Sequence, residues 1–384
     1  MAGIYIHIPF CKQACHYCDF HFSTNMKKKD AMLAALQQEL LLRKDEFTGQ
    51  VVETIYFGGG TPSVLRAAEI NELIRTVYAH YEVHAAPEIT IEANPDDLST
   101  SKLKELAASP VNRLSIGIQS FFDEDLSLMN RAHSAVQAME SLREATQLFN
   151  NISIDLIYGL PYLEHDRWKK NIAIALEFNV AHISSYALTV EPKTALKKFI
   201  EKGVVPPIDD DMAEEQFHIL IDMLTEAGYQ HYELSNFGKP SFFSKNNTAY
   251  WLGKNYMGIG PSAHSYDGKR RGWNSRNNSV YIKSIEQQKL PMEIEILTKV
   301  DRYNEYVMTG LRTIWGVSLE RVMSDFGTKY YEYLLQQSEK NREDGFLRID
   351  GDTLLVTKKG KFLSDGLAAD LFMLNLEGNS KVQT

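Results

Sequence analysis

Short apolar strands alternate with amphipathic helices over the first half of the chain, and this alternation restricts the possible fold more than any other feature. Strand-like runs such as IYIHIPF, TIYFGGG and SIGIQS are each followed by a helical pattern. Strands that alternate with helices predict a parallel sheet with right-handed crossovers. Counting from Tyr5, six such units fit before residue 195, whereas a closed barrel of this type needs eight. We therefore predict an α/β protein with an incomplete (β/α)6 TIM-like barrel.

The pattern changes twice after the sixth unit. Residues 238–280 are rich in Asn, Gly, Ser and aromatic residues, and they predict a long functional or capping loop. From about residue 301 the chain is helical and then forms a predicted hairpin that turns at Asp350 and Gly351, which indicates a small α+β, winged-helix-like C-terminal domain. The predicted divisions are 1–237 for the partial barrel, 238–300 for a connecting or capping segment, and 301–384 for the C-terminal domain.

Charge and hydropathy exclude two classes of partner. The net charge of −9 argues against a general nucleic-acid binder, which needs a basic face to neutralise phosphates. No apolar run approaches the roughly 20 residues that span a bilayer, and the first residues do not resemble a secretory signal. We expect a cytoplasmic protein with no nucleic-acid partner and no stable membrane insertion.

The cysteines of the chain lie together directly after the first predicted strand: Cys11, Cys15 and Cys18. This position is the expected mouth of the barrel, where barrel enzymes build their active sites. Three cysteines cannot form a closed set of disulfides, and thiolate clusters hold zinc or iron–sulfur centres. A structural zinc needs a fourth ligand, for which the nearby candidates are His7, His16 and His21. An iron–sulfur cluster on three thiolates instead leaves one iron open to a ligand.

Polar and glycine residues stand at the ends of the following strands. The sequence GGGTP at residues 58–62 allows a ligand to approach the backbone closely, because glycine has no Cβ. Three later strands each end near a polar side chain: Glu92, Gln119 and Asp155. Because the carboxyl ends of parallel strands meet at one rim, these side chains predict ligand contacts at the barrel mouth.

With these motifs in place, the chain resembles the radical S-adenosylmethionine (SAM) superfamily, whose cysteine signature is CxxxCxxC. Within it the chain is similar to the oxygen-independent coproporphyrinogen oxidases and the HemW-type heme chaperones, through YIHIPFC, YFGGGTPS, IEANP, SIGIQSF, LMNRAHS and DLIYGLP. The resemblance implies one 4Fe–4S cluster on the three cysteines, with SAM on the open iron. It also implies SAM contacts from Tyr5, Tyr17, Gly59, Gly60, Thr61, Glu92, Gln119, Arg131, Asp155 and Ala187.

Two features favour the chaperone branch of this family. The oxidases are similar to CxxxCxxCxC, and here Phe20 stands in place of the fourth cysteine. The oxidases also carry an extension before the first strand, whereas this sequence begins almost on it. The predicted function is therefore to bind heme and a 4Fe–4S cluster with SAM, and to transfer the heme to a recipient protein. The alternative is an oxygen-independent coproporphyrinogen III oxidase, which converts propionates of a porphyrinogen to vinyl groups by radical decarboxylation; whether the chain is an enzyme is left open.

One position departs from the chaperone pattern. That branch carries a motif like His-Asn-x-x-Tyr-Trp, whose histidine is the natural ligand of heme iron, whereas KNNTAYW at residues 245–251 has Asn246 there. An amide is a poor ligand for heme iron compared with neutral imidazole. The candidates to take its place are His264 in GPSAHSY, His231 and His7, although each of them alone is more typical of a hydrogen-bonded site residue. Of the three, His264 is included among the predicted cofactor-binding residues. Aromatic residues that can line a flat porphyrin pocket are Tyr250, Trp251 and Trp273.

Overall fold

The first half of the chain folds into six parallel strand–helix units in the computed structural model, which describes residues 2–374 and 382–383. Each of the six strands pairs in parallel with the next one. This arrangement confirms the α/β class and the partial barrel. The strands are β1 (Ala2–Ile8), β2 (Val52–Gly59), β3 (Val83–Ala93), β4 (Arg113–Gln119), β5 (Ile152–Tyr158) and β6 (His182–Ala187).

Eight helices connect or follow these strands within the described residues. Several begin with clear capping signals, such as the reciprocal hydrogen bonds between Ser134 and Gln137 at the start of the fifth helix. Their apolar faces share one hydrophobic core with the sheet. The helices are α1 (Lys29–Leu42), α2 (Ala67–His80), α3 (Thr100–Ala107), α4 (Asp123–Leu128), α5 (Ala135–Leu148), α6 (His165–Glu177), α7 (Ala195–Glu201) and α8 (Asp210–Glu226).

The strands of the barrel alternate apolar residues with polar or small ones, so the two kinds point to opposite faces of the sheet. The isoleucines of β1, β3 and β5 are buried in the core that the sheet shares with the helices. Glu92 on β3 instead accepts a hydrogen bond of 2.8 Å from the Tyr56 hydroxyl on β2. Asp155 on β5 likewise lies 3.5 Å from the Ser115 hydroxyl on β4. The polar face is therefore the inner face of the partial barrel.

The prediction of a long loop over residues 238–280 is wrong, because most of this segment folds into short helices and strands, and the strands extend the sheet. After the antiparallel pair β7 (Gln230–Glu233) and β8 (Asn236–Gly238), the chain forms a helix and then returns to the opposite side of β1. Short strands and tight turns, including positive φ at Gly260 and Gly268, gave this segment a loop-like composition. The elements are α9 (Lys245–Trp251), β9 (Asn255–Ile259), β10 (His264–Tyr266), β11 (Arg270–Asn274), α10 (Asn278–Glu286) and β12 (Met292–Ile296).

The C-terminal region forms a second hydrophobic cluster of its own, around Tyr303, Leu334 and Leu354. Its hairpin turns at Gly351 and Asp352, one residue beyond the predicted Asp350 and Gly351, and Gly351 has a positive φ of 57°. The domain limits given above stay predictions. The elements are α11 (Lys299–Leu311), β13 (Val317–Ser318), α12 (Leu319–Phe326), α13 (Thr328–Glu343), β14 (Leu347–Asp350), β15 (Thr353–Val356), α14 (Ser364–Asp370) and β16 (Val382–Gln383).

Strand β9 lies parallel to β1, and β10, β11, β12 and β16 continue the sheet in antiparallel order. Counted over the described residues, this sheet has thirteen strands, with β1 to β6 at its centre. Among residues 2–374 and 382–383, no helix has the length and apolar character needed to cross a membrane.

Candidate functional site

The cysteine loop follows β1, and all three thiols on it are free and partly buried. The Thr61 hydroxyl donates a hydrogen bond to the Cys11 sulfur at 3.3 Å. Arg131 donates from Nη1 to the Cys15 sulfur at 3.4 Å and to the Tyr17 hydroxyl at the same distance. A cationic donor and a hydroxyl donor therefore already face two of the three sulfurs, and both stabilise the thiolate form.

Arg131 is held in place from the other side by the rim of the barrel. Its Nη2 donates to the Asn94 side-chain oxygen at 2.7 Å and to the Gly117 carbonyl at 2.9 Å. A Cβ on Gly117 would lie 3.2 Å from this guanidinium and 3.0 Å from the side-chain nitrogen of Gln119, so any larger residue here would force these two side chains to shift by a few tenths of an ångström. Gln119 itself has a positive φ of 66°, which directs the end of β4 toward the mouth.

The donor set fits a cluster that takes three thiolates. Burial raises the pKa of Cys11 and of Cys18 to about 11, and the neighbouring sulfurs add to this effect. A metal centre that binds the thiolates must therefore displace protons, so loading of a cluster releases protons and becomes more favourable as the pH rises. The three unpaired thiols and the adjacent guanidinium are what a negatively charged iron–sulfur centre needs.

The alternative of a zinc ion with a histidine as fourth ligand has no preassembled site in the described residues, because none of the three nearby histidines is grouped with the cysteines, and each uses a ring nitrogen in a hydrogen bond elsewhere. His7 donates from Nε2 to the His21 carbonyl at 2.9 Å, and His16 uses Nδ1 on the Leu128 carbonyl at 2.9 Å. The Nε2 of His21 lies 2.6 Å from the Asn278 side-chain oxygen. Across residues 2–374, no group of three or more His, Cys, Asp or Glu side chains is arranged to hold a single metal ion.

The glycine motif at the end of β2 packs against the cysteine loop. Gly59 has a φ of +112°, and a Cβ there would lie 2.5 Å from the His7 ring. A Cβ on Gly60 would lie 2.6 Å from the Phe10 carbonyl oxygen. The backbone N–H of Gly60 donates a hydrogen bond to the Ile8 carbonyl at 2.9 Å. These close contacts fix the second strand to the base of the cysteine loop, which explains why glycines are needed there.

Two carboxyl groups on the inner face of the barrel have raised pKa values. Desolvation raises the pKa of Glu92 to about 7, against the lowering effect of the hydrogen bond from Tyr56. Desolvation also raises the pKa of Asp155 to about 6, although serine hydroxyls and the Arg113 guanidinium act in the opposite direction. A cationic ligand in the barrel would favour the ionised form of both groups.

A cavity of about 940 Å³ extends from the barrel interior to the C-terminal region. Phe20, at the position of the fourth cysteine in the oxidase pattern, lies on its wall and is 69% exposed. The wall combines aromatic, polar and cationic side chains, as ligand cavities of this size commonly do. The lining includes Tyr5, Gly59 and Glu92 from the barrel, Asn246, Tyr250 and Trp251 from α9, His264 and Arg271 from the added strands, Arg276 from the turn between β11 and α10, and Arg312 beyond α11.

The three histidines considered as heme ligands differ in their hydrogen bonds. His231 is buried, bonded to the Leu234 carbonyl at 3.1 Å, and accepts from the Lys361 ammonium at 2.7 Å. His7 is engaged as described above. The His264 ring lies on the cavity wall and has no hydrogen-bond partner among the described residues. Burial, with the charges of two nearby arginines, lowers its pKa, so the imidazole is neutral at neutral pH.

The predicted site residues thus fall into three sets. Tyr17, Thr61 and Arg131 surround the cysteines, whereas Tyr5, Gly59, Glu92 and His264 line the cavity. Gly60, Gln119 and Ala187 lie at or just beyond strand ends, whereas Asp155 was expected at a strand end and instead lies in the middle of β5, beside Ser115. The aromatic residue Trp273 lies beside His264, with ring centroids 6.2 Å apart.

Sequence reasoning missed three residues of the site: Tyr56, Asn94 and Arg113. Tyr56 lies four residues before Gly60 and Arg113 lies six before Gln119. Side chains an even number of residues apart on a strand share a face, so the two-residue repeat, applied strictly, would have predicted both. Asn94 lies inside the quoted motif IEANP and supports Arg131.

Comparison with known proteins agrees with this geometry. Residues 5–173 match the radical SAM superfamily, and residues 297–363 match the HemN C-terminal domain. Among solved structures, the coproporphyrinogen III oxidase HemN of Escherichia coli, described as a radical SAM enzyme, superposes with a TM-score of 0.84 at 25% identity. That match covers 97% of this chain and 90% of the oxidase chain.

The chain is also similar in sequence to several named proteins over most of its length. It is 34% identical to the heme chaperone HemW of Lactococcus lactis, covering 93% of each chain. It is 34% identical to the heme chaperone HemW of Bacillus subtilis, covering 95% of this chain and 97% of that one. The chain is 31% identical to the mitochondrial radical S-adenosyl methionine domain-containing protein 1 of Bos taurus, and the match covers 96% of this chain and 87% of that one.

Proposed function

The chain belongs to the HemW family and to the radical SAM superfamily, and from this premise we propose that it is a heme chaperone that binds heme in the large cavity and passes it to a recipient protein. Membership of the superfamily implies a 4Fe–4S cluster and SAM. The observation that carries the heme proposal is the unbonded imidazole of His264 on the wall of a cavity of about 940 Å³.

We propose Cys11, Cys15 and Cys18 as the cluster ligands. When bound, the cluster and SAM supply one-electron reductive chemistry. The chain itself contributes the positions of the sulfurs, the guanidinium of Arg131 beside Cys15, and the carboxyl groups on the inner face. Glu92 and Asp155 suit a cationic cofactor, because their ionised forms are stabilised by a positive charge nearby.

We propose His264 as the axial ligand of the heme iron in place of the histidine that is missing at position 246. Neutral imidazole with a free ring nitrogen is a good iron ligand, and His264 is the histidine on the cavity wall that meets this condition best. Tyr250, which is 45% exposed, and Trp251 offer apolar surface to a flat ring. The apolar ring of a porphyrin gains from burial against such aromatic side chains.

The oxidase alternative shares the fold, but Phe20 favours the chaperone. In the resembling oxidases a cysteine stands at this position, and here it is an exposed aromatic side chain on the cavity wall. The experiment that separates the two functions offers the reconstituted protein either hemin or coproporphyrinogen III with SAM and a reductant. A chaperone retains hemin through gel filtration and delivers it to an apo-acceptor; an oxidase produces vinyl groups and carbon dioxide.

The proposed recipient is a heme-requiring protein, and the proposed location is the cytoplasm. Release is tested by mixing the hemin-loaded chain with an apo-hemoprotein and following the loss of its Soret absorbance. Retention of all hemin by the chain in the presence of excess acceptor would contradict the transfer step.

Replacement of Asn246 by histidine is expected to tighten hemin binding by about tenfold, because one additional favourable polar interaction changes the affinity by about this factor. Asn246 lies on the cavity wall, and its side-chain oxygen accepts from the Thr54 hydroxyl at 3.2 Å, so the position faces the inside of the fold. The matched control is Lys245→His, because Lys245 is the preceding residue and is exposed. An unchanged Soret spectrum and affinity in Asn246→His would mean that the iron does not approach this wall.

Affinity for SAM is expected to rise as the pH is raised through about 7, where Glu92 releases its proton. The sulfonium of SAM is permanently cationic, so the ionised carboxylate attracts it and the neutral acid does not. Glu92→Gln is expected to bind SAM about tenfold more weakly at high pH and to flatten the profile. Calorimetry on protein with preloaded cluster measures both, and Glu82→Gln, at an exposed carboxylate, is the control. If Glu92→Gln showed the same pH dependence of SAM affinity as the wild type, the assignment of Glu92 to the SAM site would be wrong.

A further inference from the structure

Resting on the proposed heme site, we propose that Arg276 binds a propionate carboxylate of the heme and that the cavity thereby selects porphyrins with free acid groups. Heme carries two propionates on one edge of the macrocycle, so a cavity that places the iron at His264 must also accommodate anionic groups at its rim. The cavity wall contains three arginines that differ in their existing partners.

Arg271 forms an ion pair with Glu305, and Arg312 lies 3.1 Å from the Asp365 carboxylate. Both guanidinium groups thus already have a carboxylate partner within the protein. Arg276 has no carboxylate partner among the described residues, although it lines the same cavity. It is therefore the wall arginine whose charge is available for an anionic ligand.

The hydrogen bonding of Arg276 leaves its two terminal guanidinium nitrogens without a partner among the described residues. Its Nε donates to the Ser262 hydroxyl at 3.4 Å, which is a weak contact that orients the side chain without using the two terminal nitrogens. A guanidinium presents these nitrogens in a planar arrangement that matches a carboxylate with two parallel hydrogen bonds. Ser262 also lines the cavity, so the anchoring contact lies at the same wall.

Arg276 also acts on the same region as the proposed iron ligand. His264 and Arg276 line the same cavity, and the charges of Arg271 and Arg276 act with burial to lower the pKa of His264. In the proposed arrangement the iron binds at His264 and an edge carboxylate of the same heme binds at Arg276, both within this one cavity. Binding of the acid group at Arg276 and of the iron at His264 would together fix the orientation of the ring.

The test compares hemin with hemin dimethyl ester, in which both carboxylates are masked, on the full-length reconstituted protein. The wild-type chain is expected to bind hemin about tenfold more tightly than the ester, the range of one charge-assisted hydrogen-bonded pair at a partly solvated site. Arg276→Gln is expected to lose this preference by weakening hemin alone. Arg276→Lys keeps the positive charge but cannot donate two parallel hydrogen bonds to one carboxylate. We therefore expect an intermediate preference for hemin over the ester.

The matched control is Arg270→Gln, because Arg270 is exposed like Arg276 but is paired with Asp267 and is not among the residues that line the cavity. It is expected to keep the wild-type preference. Undiminished preference for hemin in Arg276→Gln, or equal binding of hemin and ester by the wild type, would overturn the role of Arg276 while leaving the heme proposal standing. Absence of saturable hemin binding by the wild type would overturn both.

Discussion

Cys15→Ala is expected to abolish the iron–sulfur cluster, so that the purified, anaerobically reconstituted variant contains little iron and no acid-labile sulfide. Two thiolates cannot hold a cluster that already leaves one iron without a protein ligand. The change also removes the sulfur to which Arg131 donates at 3.4 Å, and leaves this buried guanidinium with one anionic partner fewer. Iron and sulfide analysis, together with the brown charge-transfer absorbance, measures the outcome.

Gln13→Ala is the matched control for this variant. Gln13 lies on the same loop, between the first two cysteines, and its side chain is exposed and bonded to the Asn130 carbonyl at 2.9 Å. We expect it to retain a full cluster, which separates loss of a ligand from loosening of the loop. Stoichiometric iron in Cys15→Ala, with circular dichroism unchanged, would show that the three cysteines are not the ligand set.

His264→Ala is expected to weaken hemin binding by about a hundredfold, since even the outer hydrogen-bond partners of metal ligands contribute 10–100-fold. The Soret band is expected to change to that of a heme without a protein nitrogen ligand. Addition of imidazole is expected to restore the wild-type spectrum, because the truncated side chain leaves space on the cavity wall. A loss caused only by misfolding would not be rescued in this way.

His21→Ala is the control that tests the choice of ligand, because His21 lies on the wall of the same cavity. Its Nε2 is already bonded to Asn278 at 2.6 Å, so we expect its replacement to change the Soret band much less. If His21→Ala removed the ligand field and His264→Ala did not, the assignment of the axial ligand would be wrong.

The partial barrel could be predicted from the sequence because its signals are local. Each strand of the barrel is a short run bounded by a turn signal, and each helix follows with its own periodicity. The hairpin was predicted to within one residue for the same reason, since Gly351 permits the tight turn by its own backbone conformation.

The extension of the sheet beyond β1 could not be predicted, because it depends on pairing between residues far apart in the chain. Strand β9 pairs with β1, about 250 residues earlier, as in Ala2 with Asn255. Strand β10 spans only His264–Tyr266, too short for a periodic pattern to be visible. Propensity in such a segment is overridden by the partner strand, which the sequence does not identify.

The candidate site shows the same division between local and distant information. The cysteine spacing and the motifs led to the cluster loop and to most of the rim. The choice among His7, His231 and His264 needed the structure, because each histidine stands in an unremarkable local sequence. Their hydrogen bonds separate them: the rings of His7 and His231 are engaged, and that of His264 faces the cavity.

The measurement that tests the account most directly is a titration of the anaerobically reconstituted chain with hemin, followed at the Soret band. The proposal predicts saturable binding near one equivalent, with a spectrum of nitrogen-ligated heme. Absorbance that rises linearly without saturation, as for hemin adsorbed to an exposed surface, would contradict the assignment of this chain as a heme chaperone.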